Sequence, residues 1–94
     1  MSDIPANFPD FWRSDKATDD FREEYAEELS QPEKMSNARL CIAVTFCRKI
    51  MNPFAIELVR RAGVLDKFMA LPDDRYLILC RAARAFGSGY EIIV

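Results

Sequence analysis

Apolar residues recur at helical spacing along most of the chain. In the segment SDKATDDFREEYAEELS, Phe21, Tyr25 and Leu29 follow one another every four residues, with charged residues between them. This is the pattern of an amphipathic helix with one buried face. Similar stripes, interrupted by Pro and Gly, continue towards the C-terminus and mark further helices. The predicted helices cover residues 16–30, 32–51, 53–62 and 73–86.

The segment RLCIAVTFCRKI, residues 39–50, is apolar on every side and fits either a strand or a helix. Its residues alternate as in a strand, but both alternating faces are apolar, so the alternation separates no buried face from an exposed one. Ser30 and Glu33 have the spacing of a capping box, with Pro32 in the first turn. We therefore predict that this segment belongs to a helix that begins near residue 32 and is buried on most sides.

Local signals mark both ends of the third predicted helix. Asn52 can cap its N-terminus, Pro53 suits the first helical position, and Gly63 suits the position just after its C-terminus. The first three predicted helices are separated by only a few residues, and such short connections keep successive helices in contact. The predicted fold is all-α, a compact bundle of about four helices. The predicted core residues are Phe21, Tyr25, Leu29, Leu40, Ile42, Phe46, Leu58, Leu65, Phe68, Leu79 and Phe86.

We divide the chain into an N-terminal aromatic arm, residues 1–14, and a single helical domain, residues 15–94. The C-terminal tail GSGYEIIV could form a short strand or an extended arm. In the N-terminal arm, Phe8, Phe11 and Trp12 are spaced i, i+3 and i+4, on one side of a short helical turn. Such large aromatic side chains either dock on the protein's own core or insert into a partner as anchors.

Charge is distributed unevenly over the two parts of the chain. The net charge is −2, yet residues 1–34 contain an excess of acids and residues 35–94 an excess of bases. One predicted helix has six acids interrupted by a single base, Arg22. These acids are Asp19, Asp20, Glu23, Glu24, Glu27 and Glu28. Such a row is either a solvated helix face or a surface that attracts a protein partner with a basic surface.

The sequence offers little for catalysis. It contains no histidine, which is the commonest general base near neutral pH, and none of the nucleotide-binding or nucleophile motifs. In either a helix or a strand, Cys41 and Cys47 are too far apart for a disulfide, and their spacing does not match a zinc site. We interpret them as core residues, with a redox-sensitive Cys47 beside Arg48 and Lys49 as the alternative. We predict no enzymatic activity, no cofactor and no metal site.

The favoured function is therefore non-catalytic protein–protein binding, as a small regulator, adaptor or inhibitor. A DNA-binding alternative comes from IELVRRAGVLDKFMAL, where AGV resembles the turn of helix-turn-helix domains. The bases that such a protein would use are Arg60, Arg61, Lys67, Arg81 and Arg84. The acidic pI of about 5.1 argues against this function. A third hypothesis is a structural subunit, because an apolar content of 50% can supply a homo-oligomer interface.

The N-terminus, MSDIPANFPDF, lacks the basic and apolar regions of a signal peptide. The longest apolar run, from Leu40 to Cys47, is far shorter than the ~18 residues that span a bilayer. We therefore expect a cytoplasmic protein with no membrane partner.

Overall fold

A computed structural model describes residues 11–86 of the chain, and the tail from residue 87 lies outside them. All regular elements in this range are helical, apart from one isolated bridge between Trp12 and Cys47, so the all-α prediction is confirmed. The α-helices are α1 Lys16–Glu24, α2 Ala26–Leu29, α3 Asn37–Thr45, α4 Pro53–Arg61, α5 Leu65–Ala70 and α6 Arg75–Ala85. Two 3-10 turns, Pro32–Lys34 and Pro72–Asp74, precede α3 and α6.

The first predicted helix is divided into α1 and α2 at Tyr25. The backbone of Tyr25 leaves the helical region, with φ −113° and ψ 27°. Its ring packs 5.2 Å from that of Phe21 and lies 4.0 Å from the guanidinium carbon of Arg39 on α3. The apolar stripe correctly predicted the buried face, but it could not show the interruption, which coincides with this contact between distant segments.

The second predicted helix is much shorter than expected, because residues 46–51 are not helical. Its N-cap is Ser36, whose Oγ accepts a hydrogen bond from the backbone N–H of Arg39 at 3.1 Å. At its C-terminal end, residues 46–48 are instead paired with residues 11–13. The Arg13 N–H donates to the Phe46 carbonyl at 2.9 Å, and the Arg48 N–H donates to the Phe11 carbonyl at 2.7 Å. The predicted bounds of 32–51 are therefore wrong at both ends.

Helix α4 begins and ends where the sequence predicted. The Asn52 side-chain oxygen accepts a hydrogen bond from the Ala55 N–H at 2.9 Å, and Pro53 is the first helical residue. Gly63 has φ 77°, the left-handed conformation that glycine adopts without strain after a helix. Phe54, Leu58 and Val59 of α4 are completely buried, and the helix packs against α3, α5 and α6. This helix is therefore the centre of the fold.

The other predicted core residues also pack inside the molecule. Phe21, Leu29, Leu40, Leu58, Phe68 and Leu79 are buried, and the remaining five pack against them while partly exposed. The sequence prediction omitted the buried residues Trp12, Met35, Phe54 and Val59. Between α5 and α6, Arg75 donates hydrogen bonds to the carbonyls of Phe68 and Met69 at 2.7 and 3.1 Å. These bonds satisfy carbonyls at the C-terminal end of α5.

Within the described range, no helix combines the length and the apolar character needed to cross a membrane.

Candidate partner-binding surface

The aromatic residues before α1 belong to the core and pack beneath α1, which with α2 contains the six predicted acids. Phe11 and Trp12 are buried, and the indole of Trp12 lies 5.3 Å from the Phe54 ring and 6.4 Å from the Phe21 ring. Phe21 in turn stacks on Phe46 at 4.5 Å. The rings of Phe11 and Trp12 therefore dock on the protein's own core. Their position does not support the alternative that they anchor a partner. Phe8 lies outside the described residues.

The start of α1 is fixed by a side-chain cap. The Asp15 carboxylate accepts hydrogen bonds from the backbone N–H and the hydroxyl of Thr18, both at 2.8 Å. These hydrogen bonds, with a smaller contribution from the nearby Arg13 guanidinium, lower the pKa of Asp15. Thr18 and Phe21 form the buried side of α1. The opposite side therefore faces solvent in a defined orientation.

Four of the six predicted acids form what we call the acidic surface: Asp19, Glu23, Glu24 and Glu27. All four are exposed, and none forms an ion pair with another residue of the range 11–86. The other two are paired. Asp20 lies 3.2 Å from the ammonium of Lys16, and Glu28 lies 3.4 Å from Nε of Arg39. The structure thus separates the predicted row into four available carboxylates and two that are engaged within the chain.

A cleft of about 360 Å³ lies beside this surface, between α1, α2 and the Trp12 indole. Its apolar lining comes from Trp12, Ala26 and Leu29. Its polar lining comes from Asp19, Arg22, Glu23 and Ser30. The cleft therefore combines an apolar wall with two of the four available carboxylates.

Arg22 is the cationic member of the cleft. Its guanidinium carbon lies 5.2 Å from the centre of the Trp12 ring, a cation–π distance. The Nε1 of Trp12 is itself buried and has no hydrogen-bond partner among the residues described. The sequence prediction did not include Arg22, Ala26, Leu29 or Ser30 as site residues. Their positions three and four residues apart on one helix side were the available signal.

Two of the five residues proposed for DNA binding form ion pairs with Glu57 of the same helix. Arg60 and Arg61 donate to the carboxylate of Glu57, through Nε at 2.9 and 2.7 Å respectively. Arg61 also donates to Asn37 Oδ1 at 2.7 Å and to the Glu33 carbonyl at 3.1 Å. Hydrogen bonds from Arg60 and Arg61 lower the pKa of Glu57 against the opposing effect of burial. Arg61 thus connects α4 to the 3-10 turn before α3 and to the first residue of α3.

The other three proposed DNA-binding residues, Lys67, Arg81 and Arg84, are exposed. They lie on α5 and α6, and α5 contains only six residues. Its exposed positions include one acid and one base, Asp66 and Lys67. Such a helix offers few polar side chains to base edges.

The positions of Cys41 and Cys47 show whether these two cysteines are core residues. Cys41 is completely buried and Cys47 packs against the core, so the interpretation of both as core residues is confirmed. Burial raises the pKa of the Cys47 thiol to about 12, although Arg22 has a small opposing effect. This direction of the shift does not favour the alternative of a redox-sensitive Cys47 beside Arg48 and Lys49. In the part of the chain described, no three Cys, Asp or Glu side chains are arranged to hold a metal ion.

Comparison with models of protein families, with curated proteins and with solved structures finds no match for this chain.

Proposed function

We propose that this protein is a non-catalytic interaction module, a small regulator, adaptor or inhibitor, that binds a basic protein partner through α1 and α2. The observation that carries this proposal is the acidic surface itself. Its four carboxylates make no ion pair among residues 11–86, and two of them line an apolar cleft. Like charges at this density repel one another, so an opposite charge from a partner would relieve that repulsion.

The cleft suggests how the partner would be recognised. A lysine or arginine side chain has an apolar stem and a cationic head. The stem can pack against Ala26 and Leu29 while the head meets Asp19 and Glu23. The remaining carboxylates, Glu24 and Glu27, would then act at longer range, chiefly by accelerating the encounter. Binding should accordingly weaken as the salt concentration rises.

The residues packed beneath the acidic surface support this mechanism. Trp12 and Phe21 are fixed in the aromatic core, and the Asp15 cap fixes the start of α1. A surface held in this way loses little conformational entropy on binding, which favours affinity.

The test compares two double variants that remove the same charge. D19N/E23Q removes the carboxylates that line the cleft, and E24Q/E27Q removes the other two. Each variant and the wild-type protein is immobilised, and binding of a peptide library with single lysine or arginine residues in aliphatic sequences is measured. We expect D19N/E23Q to weaken binding by about tenfold or more, and E24Q/E27Q by less.

The variants also define what would contradict the proposal. Glu28 is left unchanged because it is paired with Arg39, so its substitution would also remove a contact between α2 and α3. Equal weakening by the two variants would remove the cleft from the mechanism and leave a diffuse acidic surface. Unchanged binding in both variants would refute the acidic surface altogether.

A further inference from the structure

The outward face of α6 exposes large apolar side chains. Leu77 is 48% exposed and Tyr76 43% exposed, near the start of the helix. Met69 and Leu71, at the end of the preceding α5, are exposed to similar extents. The buried side of α6 consists of Leu79, Ala82 and Ala83. Leu77 therefore lies on the face that points away from the core.

Charges flank Leu77 in a definite order. Arg81 lies four residues after it on the same face of α6, with Arg84 beyond it. Asp73 and Asp74 lie in the 3-10 turn that leads into the N-terminal end of α6. At a rise of about 1.5 Å per residue, Arg81 is about 6 Å from Leu77 along the axis of α6. Asp73 and Asp74 are both exposed. None of these charged side chains is ion-paired with a residue in the range 11–86.

We infer that this face binds a second copy of the same chain, with the two α6 helices antiparallel and crossing at Leu77. In a two-fold interface, residue i of one copy contacts residue j of the other, and j contacts i. Rotation about an axis at Leu77 places Leu77 against its own copy. The same rotation brings the acidic end of one copy, with Asp73 and Asp74, to the basic end of the other, with Arg81 and Arg84, and does so twice. The antiparallel arrangement also opposes the two helix dipoles favourably.

Charge complementarity is the reason to choose a second copy as the occupant. The face is acidic at one end and basic at the other, with an apolar residue midway, so it is complementary to itself. A nucleic acid would meet repulsion from Asp73 and Asp74. A uniformly basic protein, as proposed for α1 and α2, would meet repulsion from Arg81 and Arg84. This inference does not depend on the proposed function, because it concerns a different helix.

The first test measures mass in solution by light scattering across a wide range of protein concentration. The wild-type protein should approach twice the monomer mass as its concentration rises. L77E should remain monomeric, because the two-fold axis would bring its two carboxylates together. The matched control E24R, a charge reversal on the acidic surface, should dimerise as the wild type does. Far-ultraviolet circular dichroism checks that each variant is folded.

The second test uses charge reversal, which does not depend on Leu77. D73R alone opposes arginine to arginine, and R81D alone opposes aspartate to aspartate, so each should weaken self-association by about tenfold or more. A mixture of D73R and R81D should form a heterodimer, because both contacts across the axis are then attractive. The double variant D73R/R81D should recover the homodimer.

Three results would overturn the inference. The first is a wild-type protein that stays monomeric up to its solubility limit. The second is a dimer whose strength is unaffected by L77E, which would place the interface elsewhere. The third is a mixture of D73R and R81D that associates no better than either variant alone. The variant D19N/E23Q should dimerise normally, so failure of the proposed function is distinguishable from failure of this one.

Discussion

Helix α4 and the α1–α2 region both place arginine close to acidic residues in sequence, but they use these charges in opposite ways. In α4, Glu57 precedes Arg60 and Arg61 by three and four residues, and its carboxylate accepts hydrogen bonds from both. In α1, Arg22 follows Asp19 by three residues, yet its guanidinium lies over the Trp12 indole. The single acid of α4 is paired within the fold, whereas most acids of α1 and α2 are left to solvent.

This difference shows that charge density alone does not identify a binding surface. Glu57 is only 8% exposed, and hydrogen bonds from Arg60 and Arg61 lower its pKa. Arg61 also connects α4 to Glu33 and Asn37. Glu23 has no such role, because no described cation pairs with it. A charged side chain that makes no ion pair within the described residues is available to a partner. The same reasoning applies to Asp73, in the turn before α6, and to Arg81 on α6.

The largest expected effect concerns apolar packing in the two regions. Leu58 of α4 is completely buried, whereas Leu29 of α2 borders the cleft. We expect Leu58→Ala to lower the free energy of unfolding by about 4 kcal/mol, since it leaves a closed cavity. Leu29→Ala should cost about 2 kcal/mol, because one side of the new space is already open to water. Urea unfolding measures both, and equal losses would mean that the two regions are packed equally well.

The second prediction compares two glutamates by the same substitution. Glu57→Gln removes the charge that Arg60 and Arg61 share, and we expect it to lower the free energy of unfolding by about 2 kcal/mol. Glu23→Gln should change it by less than about 0.5 kcal/mol, or stabilise slightly, because it relieves repulsion between like charges. Chemical denaturation of the two variants and the wild type measures the difference. A Glu23→Gln variant as unstable as Glu57→Gln would show that the acidic surface supports the fold after all.

The sequence was a good guide at the ends of α4, where the structure depends on neighbours in the chain. The cap at Asn52, the first-turn Pro53 and the left-handed Gly63 are local features, and they placed α4 correctly. The prediction failed where distant segments compete. Residues 46–48 have an apolar composition suited to a helix, but backbone groups of residues 11–13 pair with them instead. No local pattern contains that partner.

The same limit applies to the candidate site. The acidic character of α1 and α2 was visible in the sequence, because it requires only helical spacing. The pairing of Glu28 with Arg39 depends on how α2 packs against α3. The hydrogen bond from Arg61 to Asn37 likewise depends on how α4 packs against α3. The sequence therefore predicted where charge would accumulate, while only the tertiary structure distinguished the charges used by the fold from those left exposed.

The smallest expected effect is the change in the free energy of unfolding at acidic pH. It separates carboxylates that are hydrogen-bonded within the fold from those of the acidic surface. The folded protein lowers the pKa of Glu57 through hydrogen bonds from Arg60 and Arg61, and that of Asp15 through hydrogen bonds from Thr18. A carboxyl with a lowered folded-state pKa binds protons more readily when unfolded. Its stabilisation is therefore fully present above its ordinary pKa, 4.5 for Glu57 and 3.8 for Asp15, and is lost as the pH falls through the folded-state value.

Glu57→Gln should accordingly flatten the decline in stability below about pH 4.5, the ordinary pKa of this carboxyl, and leave the decline due to Asp15. The measurement is the free energy of unfolding of the wild type and the variant, by urea titration at a series of acidic pH values. Glu23→Gln is the matched control. If the wild type and Glu57→Gln decline in parallel, the Glu57–arginine contact contributes nothing that depends on its ionisation. The contrast between α4 and the acidic surface would then rest on packing alone.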